Sequence, residues 1–384
     1  MRTAAKASSS SPTSGIRGPV SSRIVPTAQF VTARRTAERI RKSSTMNSRF
    51  ATRREFLAAN VAAGMTLFAA SARAAGISER YAGLKSGDFF DGPLKEEVKV
   101  VDQKIFTEGP AAARDGRVFF TNASAAKILV WNPKTRELST FRENSGEANG
   151  LLFDHSGRLL ACEGKAGRVT RTDMKTGEIT VLVDQFNGHP LGAPNDLTID
   201  SKGRVYFTSR LPNTDDKKHN VNAVYRIDPD GKIVRVLHEP DIHMPNGVEV
   251  SPDGRTLYLI ESDGRESRNR CLFAYDLQDD GTVANTRRII DFYPGRGGDG
   301  LCVDAEGNLY VAAGLHKTRG THETLDTKPG IHVISPQGKL LAYLATPTDT
   351  LTNCTFGGED RRTLFITCGD LLLSVRTKHA GPTA

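Results

Sequence analysis

A short unit made of a tight turn and an apolar strand recurs six times along the chain, and this repeat limits the folds that the chain can adopt. A typical copy has Asp, Ser and Gly in the turn, followed by an alternating run such as Arg-Val-Tyr-Phe-Thr. The copies lie roughly 40 to 54 residues apart, which is near the length of one four-stranded blade of a β-propeller. They occupy residues 114–121, 154–161, 200–208, 251–259, 304–311 and 359–366.

Between these units lie further strands that end in polar turns, as at residues 224–228 and 274–276. The pattern predicts an all-β chain in which residues 95–384 form a six-bladed β-propeller, with four-stranded blades around a central metal-containing channel. A ring leaves no open sheet edge, and we expect the strand near residues 97–102 to pair with the last blade and close it. Residues 76–94 are expected to be a linker. The competing architectures are a β-sandwich and a pair of smaller β domains.

One polar side chain stands at the start of the inner strand of each predicted blade. A propeller brings these positions to the same rim of its channel. Carboxylate and amide oxygens suit Ca²⁺, Mg²⁺ or Mn²⁺, whereas Zn²⁺ is matched less well by this donor type. Asn and Asp before Gly are also ordinary turn formers, so turn chemistry is the competing interpretation, although it does not call for a glutamate. The six residues are Glu108, Asn149, Asn195, Asn246, Asp299 and Asn353.

The net charge of +8 is distributed unevenly along the chain. Residues 1–75 contain 13 Lys and Arg against 2 Asp and Glu, a charge of +11. Subtraction from the totals of 52 and 44 leaves 39 basic and 42 acidic residues in the remainder, a charge of −3. This mildly acidic body offers no basic patch for phosphate groups, so nucleic acid is not an expected partner.

The basic leader has the layout of a cleavable export signal between residues 46 and 75. Arg53 and Arg54 resemble a twin-arginine signature, and an Ala-rich apolar run and an Ala-x-Ala frame follow them. We expect cleavage near Ala74 and export to the periplasm or the medium; an organelle transit peptide or a disordered tail is the alternative. The apolar run is too short for a comfortable transmembrane span, and no stable membrane association of the mature chain is expected. Residues 1–45 are either a disordered extension or sequence upstream of a true start at Met46.

The rim motifs together resemble the gluconolactonase/regucalcin family. The motifs are Glu108-Gly-Pro, Pro-Asn195-Asp, Pro-Asn246-Gly-Val-Glu-Val-Ser, Gly-Asp299-Gly-Leu-Cys-Val-Asp and Thr-Asn353-Cys-Thr-Phe-Gly-Gly. The resemblance runs from about Lys95 to Leu372 and implies a six-bladed propeller, in a family with many metal-dependent lactone hydrolases. By position it implies that Glu108, Asn246 and Asp299 are metal ligands and that Asn195 contacts the substrate. The chain departs from the family at Ala193, where some members have arginine, and at Glu261, where aspartate is more usual.

The resemblance implies a metal-dependent hydrolase that opens a sugar lactone, such as glucono-1,5-lactone, to the aldonic acid. Its cofactor would be one divalent ion, with Ca²⁺ the first choice and Mg²⁺, Mn²⁺ and Zn²⁺ as alternatives. We expect Asp299 to be the catalytic carboxylate, because one of its oxygens can bind the ion while the other accepts a proton. The residues expected to contact the substrate are Asn195, Asn149, His189, Arg296 and Asn353.

Three other functions compete with this interpretation. One is a lactone or ester hydrolase of the paraoxonase type, and another is a non-catalytic propeller that binds a sugar or calcium. A quinone-dependent sugar dehydrogenase is disfavoured because the sequence lacks a cluster of basic and aromatic residues to hold the quinone. The absence of a G-x-S-x-G motif argues against an α/β-hydrolase. The sequence is compatible with a monomer or a small homo-oligomer.

Overall fold

The computed structural model describes residues 79–211 and 221–383. The two predicted leader segments, residues 1–45 and 46–75, therefore lie outside the described residues, as does the predicted cleavage position. Within the described ranges, no helix combines the length and the apolar character needed to cross a bilayer.

Six antiparallel four-stranded sheets follow one another along the chain and confirm the predicted all-β propeller. The first strand is β1 (Phe90–Lys99), and blade 1 consists of β2 (Thr107–Ala112), β3 (Val118–Asn122), β4 (Lys127–Asn132) and β5 (Glu137–Arg142). Blade 2 consists of β6 (Ala148–Phe153), β7 (Leu159–Glu163), β8 (Arg168–Thr172) and β9 (Ile179–Val183), and a small hairpin of β10 (Gln185–Phe186) and β11 (His189–Pro190) follows it. Blade 3 consists of β12 (Ala193–Ile199), β13 (Val205–Arg210), β14 (Ala223–Ile227) and β15 (Ile233–His238).

The remaining three blades continue in the same order from the axis outward. Blade 4 consists of β16 (Pro245–Val250), β17 (Thr256–Glu261), β18 (Cys271–Leu277) and β19 (Val283–Asp291). Blade 5 consists of β20 (Gly298–Val303), β21 (Leu309–Ala313), β22 (Gly330–Ile334) and β23 (Leu340–Ala345). Blade 6 consists of β24 (Leu351–Gly357), β25 (Thr363–Cys368), β26 (Leu371–Thr377) and the first strand, β1. Two short 3₁₀ helices cover Ser86–Asp88 and Ala123–Ala125.

The ring is closed by pairing of the first strand with the last. β1 runs antiparallel to β26 and supplies the outer strand of blade 6, which confirms the predicted closure. Each inner strand contacts the next around the ring, and β2 completes the circle by contacting β24. β1 begins at Phe90, so residues 90–94 of the expected linker belong to blade 6.

The described part of the expected linker before β1, residues 79–89, is anchored to blade 5 by a buried histidine. Tyr81 Oη donates to Nε2 of His332 at 2.8 Å, and Nδ1 of the same ring faces the carbonyl oxygen of Gly330 at 3.1 Å. Tyr343 packs edge-on against Tyr81. Burial lowers the pKa of His332 to about 4, so the ring is neutral and can accept the tyrosine proton. The chain is therefore ordered before the first blade begins.

The core consists of apolar contacts between neighbouring blades. The alternation of side chains along each strand sends successive residues to opposite neighbours. In β7, for example, Leu159 packs in the cluster between blades 1 and 2, whereas Leu160 packs in the cluster between blades 2 and 3. In β13, Phe207 faces blade 2 and Tyr206 faces blade 4. Both faces of every blade are thus buried, which holds the inner strands in fixed positions around the axis.

Each inner strand is irregular at the point where its polar rim residue occurs. A β-bulge bends a strand and redirects a side chain, and a bulge at the rim turns that side chain away from the regular up-down alternation. The register of the inner strand against its neighbour shifts at all six places, between Glu108/Ala111, Ala148/Leu151, Pro194/Leu197, Pro245/Val248, Gly298/Leu301 and Leu351/Asn353.

Glycines next to the rim residues let adjacent inner strands approach closely. A Cβ atom added at Gly247 would lie 2.7 Å from the carbonyl oxygen of Asp299, and one added at Gly300 would lie 2.0 Å from Cγ of Asn353. Both separations are shorter than a van der Waals contact. The Asn-Gly and Asp-Gly pairs of the rim motifs therefore serve packing at the axis as well as the display of the polar side chain.

Candidate active site

The starts of the inner strands enclose a polar cavity of about 200 Å³ at one end of the channel. Six of the eight residues predicted from the sequence meet in it, namely Glu108, Asn149, Asn195, Asn246, Arg296 and Asp299. The other residues that line it are Phe106, Arg210, Ser262, Arg319 and Glu323. The repeat therefore brings together side chains that are up to 191 residues apart in the sequence, Glu108 and Asp299 (299 − 108).

Asp299 is held by a neighbour on each of its two carboxylate oxygens. Nδ2 of Asn246 lies 2.5 Å from Oδ1, and Nη2 of Arg296 forms an ion pair with Oδ2. The other terminal nitrogen of Arg296 donates to the carbonyl oxygen of Leu351 at 2.9 Å. The side chains of Arg296 and Asp299 are only 5% and 13% exposed, so this ion pair is largely shielded from water. Arg296, which we expect to contact the substrate, lines the cavity and also pairs with Asp299.

Glu108 lies close to Asp299 in the interior and has little contact with solvent. The backbone N–H of Gly109 donates to its Oε2 at 3.1 Å. Burial raises the pKa of Glu108 well above its usual range, and repulsion from Asp299 and Asp196 raises it further. The cavity therefore concentrates negative charge in a place where it is poorly solvated.

Asp196 is a third carboxylate of this cluster that we did not predict. It follows Asn195 in β12 and accepts hydrogen bonds from the Nδ2 of Asn353 at 3.2 Å and from the backbone N–H of Leu197 at 3.0 Å. Burial raises the pKa of Asp196 to about 7. The amide of Asn353 is thereby directed toward Asp196, and Asn353 is not among the described residues that line the cavity.

Arg210 is a second side chain at the cavity that the sequence did not reveal. It ends β13 and donates through Nε to the carbonyl oxygen of Pro245 at 3.0 Å. Its Nη2 is buried and has no hydrogen-bond partner within the described part of the chain. Burial lowers the pKa of Arg210, while Asp299 and Glu108 act in the opposite direction. An unpartnered guanidinium nitrogen at a cavity wall is a ready donor to an oxygen of a ligand.

His189 and Glu261 lie outside the central cavity. His189 belongs to the β10–β11 hairpin and is not among the described residues that line the cavity. Glu261 is fully buried at the end of β17, where it accepts hydrogen bonds from the backbone N–H of His243 at 3.1 Å and from Nδ2 of Asn269 at 3.0 Å. The following residue, Ser262, is the one that reaches the cavity, where its Oγ lies 2.9 Å from Nδ2 of Asn246.

The donor chemistry of the cavity fits a hard divalent cation. Of the three carboxylates that line it, Glu108 and Asp299 share the space with the amides of Asn195 and Asn246, and oxygen ligands of this kind are those that Ca²⁺ and Mg²⁺ prefer. In the described ranges no three His, Cys, Asp or Glu side chains are grouped so as to hold a metal ion, so amide oxygens would have to complete the ligand set. Asn246 presents its nitrogen to Asp299, and it would present its oxygen after rotation of the amide. A cation would relieve the repulsion that raises the pKa of Glu108.

Comparison with known proteins identifies close relatives of this chain. Residues 106–370 match the model of the SMP-30/gluconolactonase/LRE-like region. A gluconolactonase of Zymomonas mobilis is 30% identical over 313 residues, which cover 74% of this chain and 82% of that protein. A regucalcin of Danio rerio is 29% identical over 280 residues, which cover 71% and 84%. Among solved structures, a gluconolactonase of Xanthomonas campestris is 27% identical with a TM-score of 0.62, and the match covers 76% of this chain and 91% of that one.

The ion pair between Arg296 and Asp299 is expected to contribute strongly to stability. Replacement of Arg296 by Met would leave a largely buried carboxylate without its partner, and we expect it to cost about 3 kcal/mol or more of the free energy of unfolding. Arg288→Met is the matched control, because Arg288 pairs with Asp291 at 3.0 Å on the exposed surface, where such a pair is worth about 0–1 kcal/mol. Urea denaturation midpoints measure both changes, and equal losses in the two variants would contradict the account.

Proposed function

The chain belongs to the SMP-30/gluconolactonase/LRE-like family, and from this premise we propose that it is a metal-dependent hydrolase that opens a sugar lactone to the aldonic acid. Glucono-1,5-lactone is the first candidate substrate, because gluconolactonases are among the relatives. The observation that carries the proposal is that Glu108, Asn246 and Asp299, all largely buried side chains, line one cavity at the end of the channel. Charged and polar groups held in fixed positions stabilise the charge that develops during ester cleavage.

Lactone hydrolysis forms a bond between a water oxygen and the carbonyl carbon and breaks the bond between that carbon and the ring oxygen. The proton that leaves the water passes to Asp299, the proposed acceptor, and is then delivered from it to the ring oxygen, so that the product is a hydroxy acid. The carbonyl oxygen carries negative charge in the transition state. A divalent cation held by Glu108, Asn246 and Asp299 would supply Lewis-acid polarisation of the carbonyl.

The side chains of this chain account for the remaining requirements. Asp299 is the proposed proton acceptor, and its neighbours Asn246 and Arg296 each hold one of its oxygens, which fixes the orientation of the carboxylate. Asn149 and Asn195 line the cavity and can donate to the oxygens of the lactone. The unpartnered Nη2 of Arg210 is a further donor for negative charge on the substrate.

We also propose that the protein is exported, on the basis of the twin-arginine-like leader. N-terminal sequencing of the protein purified from the exported fraction of the producing cells should give a start near Ala75. A protein that begins at Met1 or Met46 in all fractions would contradict export with cleavage.

The proposed activity is tested with the mature chain and glucono-1,5-lactone. Glu108→Gln and Asp299→Asn each remove one negative charge from the cavity, and we expect kcat/KM to fall by about 100-fold or more. Glu137→Gln is the matched control, because this glutamate lies exposed on the outer strand of the same blade as Glu108, and we expect it to leave the activity unchanged.

Removal of divalent ions with a chelator should abolish the activity, and single ions added back, Ca²⁺ first, should restore it. Activity that is indifferent to chelation would refute metal dependence. Activity unchanged in both active-site variants would refute the assignment of the site.

A further inference from the structure

A second and much larger cavity opens directly from the central one. Its volume is about 1150 Å³, and it lies between the rim loops of blades 1, 2 and 3. Phe106, Asn149, Asn195 and Arg210 line both cavities, so a molecule seated over the central site extends into the larger space. Cavities that hold drug-sized ligands have volumes of about 300 to 1000 Å³, and a monosaccharide lactone would leave most of this one empty.

The walls of the large cavity away from the central site are built mainly from small and apolar residues. Leu191 and Ala193 lie on the blade 3 side, Ala166 lies on the loop between β7 and β8, and Ala123 and Phe106 lie on the blade 1 side. Glycines at several further lining positions present no side chain at all. These surfaces offer few hydrogen-bond partners to the hydroxyl groups of a sugar, and they gain free energy when they are covered by an apolar group.

Four charged side chains line the large cavity, namely Glu147, Lys165, Asp184 and Arg210. Glu147 and Lys165 form an ion pair of 2.7 Å with each other, and their side chains are 43% and 72% exposed. Arg210 lies at the end shared with the central site, where Asp299 and Glu108 act on it. The wall formed by Ala123, Leu191 and Ala193 carries no charge and is the part suited to an apolar occupant.

We propose that the large cavity binds an alkyl substituent carried on the ring of the lactone, so that the enzyme acts on alkyl-substituted lactones. This inference rests on the proposed lactone hydrolysis at the central site and adds a substrate class to it. The lactone carbonyl lies at Asp299 and Arg210, and the alkyl chain runs past Ala193 and Leu191. The chemical step is unchanged, because water still adds to the carbonyl carbon and the ring oxygen leaves.

The test compares two lactones with the same ring. These are δ-valerolactone, which has no substituent, and δ-dodecalactone, which carries a heptyl chain beside the ring oxygen. One methylene group in an apolar pocket can change kcat/KM by about tenfold, and we expect the wild-type chain to prefer the heptyl compound by at least that factor. Glucono-1,5-lactone is measured in parallel as the reference for the proposed function.

Two variants narrow the large cavity, Ala166→Trp on the blade 2 side and Ala193→Trp next to Arg210. Each should reduce the preference for δ-dodecalactone to near unity, and the rate of Ala166→Trp with δ-valerolactone should stay within about twofold of the wild-type rate, which reports correct folding. Ala284→Trp is the matched control, because Ala284 lies exposed on the outer strand β19, and it should leave the preference unchanged.

The outcomes separate this inference from the proposed function. Hydrolysis of glucono-1,5-lactone with no preference for the heptyl compound, or a preference that survives both filling variants, would overturn the inference alone. Hydrolysis of the alkyl lactones without that of glucono-1,5-lactone would support the inference and overturn the sugar substrate. Failure to hydrolyse any of the three compounds would overturn both.

Discussion

The burial of three carboxylates close together at the axis of the propeller is the constraint on which the site depends. Glu108, Asp196 and Asp299 come from three different blades, and all three side chains are largely buried. Charges buried in this way are costly unless they are paired and hydrogen-bonded. Arg296 pairs with Asp299, and Arg210 lies within electrostatic reach of all three carboxylates, so the chain itself offsets part of the negative charge. The negative charge that is not offset would favour the binding of a divalent cation in the cavity and disfavour the binding of an anion without a cation.

The propeller makes this arrangement possible by packing its inner strands tightly. Apolar clusters between all neighbouring blades fix the ring, and the glycines at 247 and 300 allow adjacent inner strands to approach more closely than a Cβ would permit. A bulge at each rim position then turns one polar side chain toward the axis. The carboxylates do not attract one another. The apolar packing between the blades, farther from the axis, holds them close together.

Much of this structure follows from the repeat in the sequence. The six turn-and-strand units specify the number of blades, and their phase identifies Glu108, Asn246 and Asp299 as residues of a common rim. The phase does not reveal how the rim residues differ. Asn353 stands at the same position in its blade as Asn246, yet its amide donates a hydrogen bond to the carboxylate of Asp196. That difference depends on local bulge geometry, which single-sequence patterns do not encode.

Side-chain contacts between different blades were a second feature of the site that the sequence did not predict. Arg210 lies at the end of a second strand, outside the motifs that repeat, and its role comes from carboxylates on blades 1 and 5. Arg296 was identified as a site residue, but its ion pair with Asp299 depends on the conformation of the Arg296 side chain, which lies in the loop between β19 and β20. Ala193 was recognised only as a departure from the family, whereas the structure shows that it lines a cavity of about 1150 Å³.

Calorimetric titration of a divalent cation into the metal-free mature chain tests the central claim most directly. The account predicts one bound Ca²⁺ per chain, with binding lost or weakened at least about tenfold in Glu108→Gln, because that variant removes a ligand and reduces the repulsion that the cation relieves. Glu137→Gln should bind as the wild-type chain does. No binding of Ca²⁺, Mg²⁺, Mn²⁺ or Zn²⁺ to the wild-type chain, or equal binding by Glu108→Gln, would contradict it.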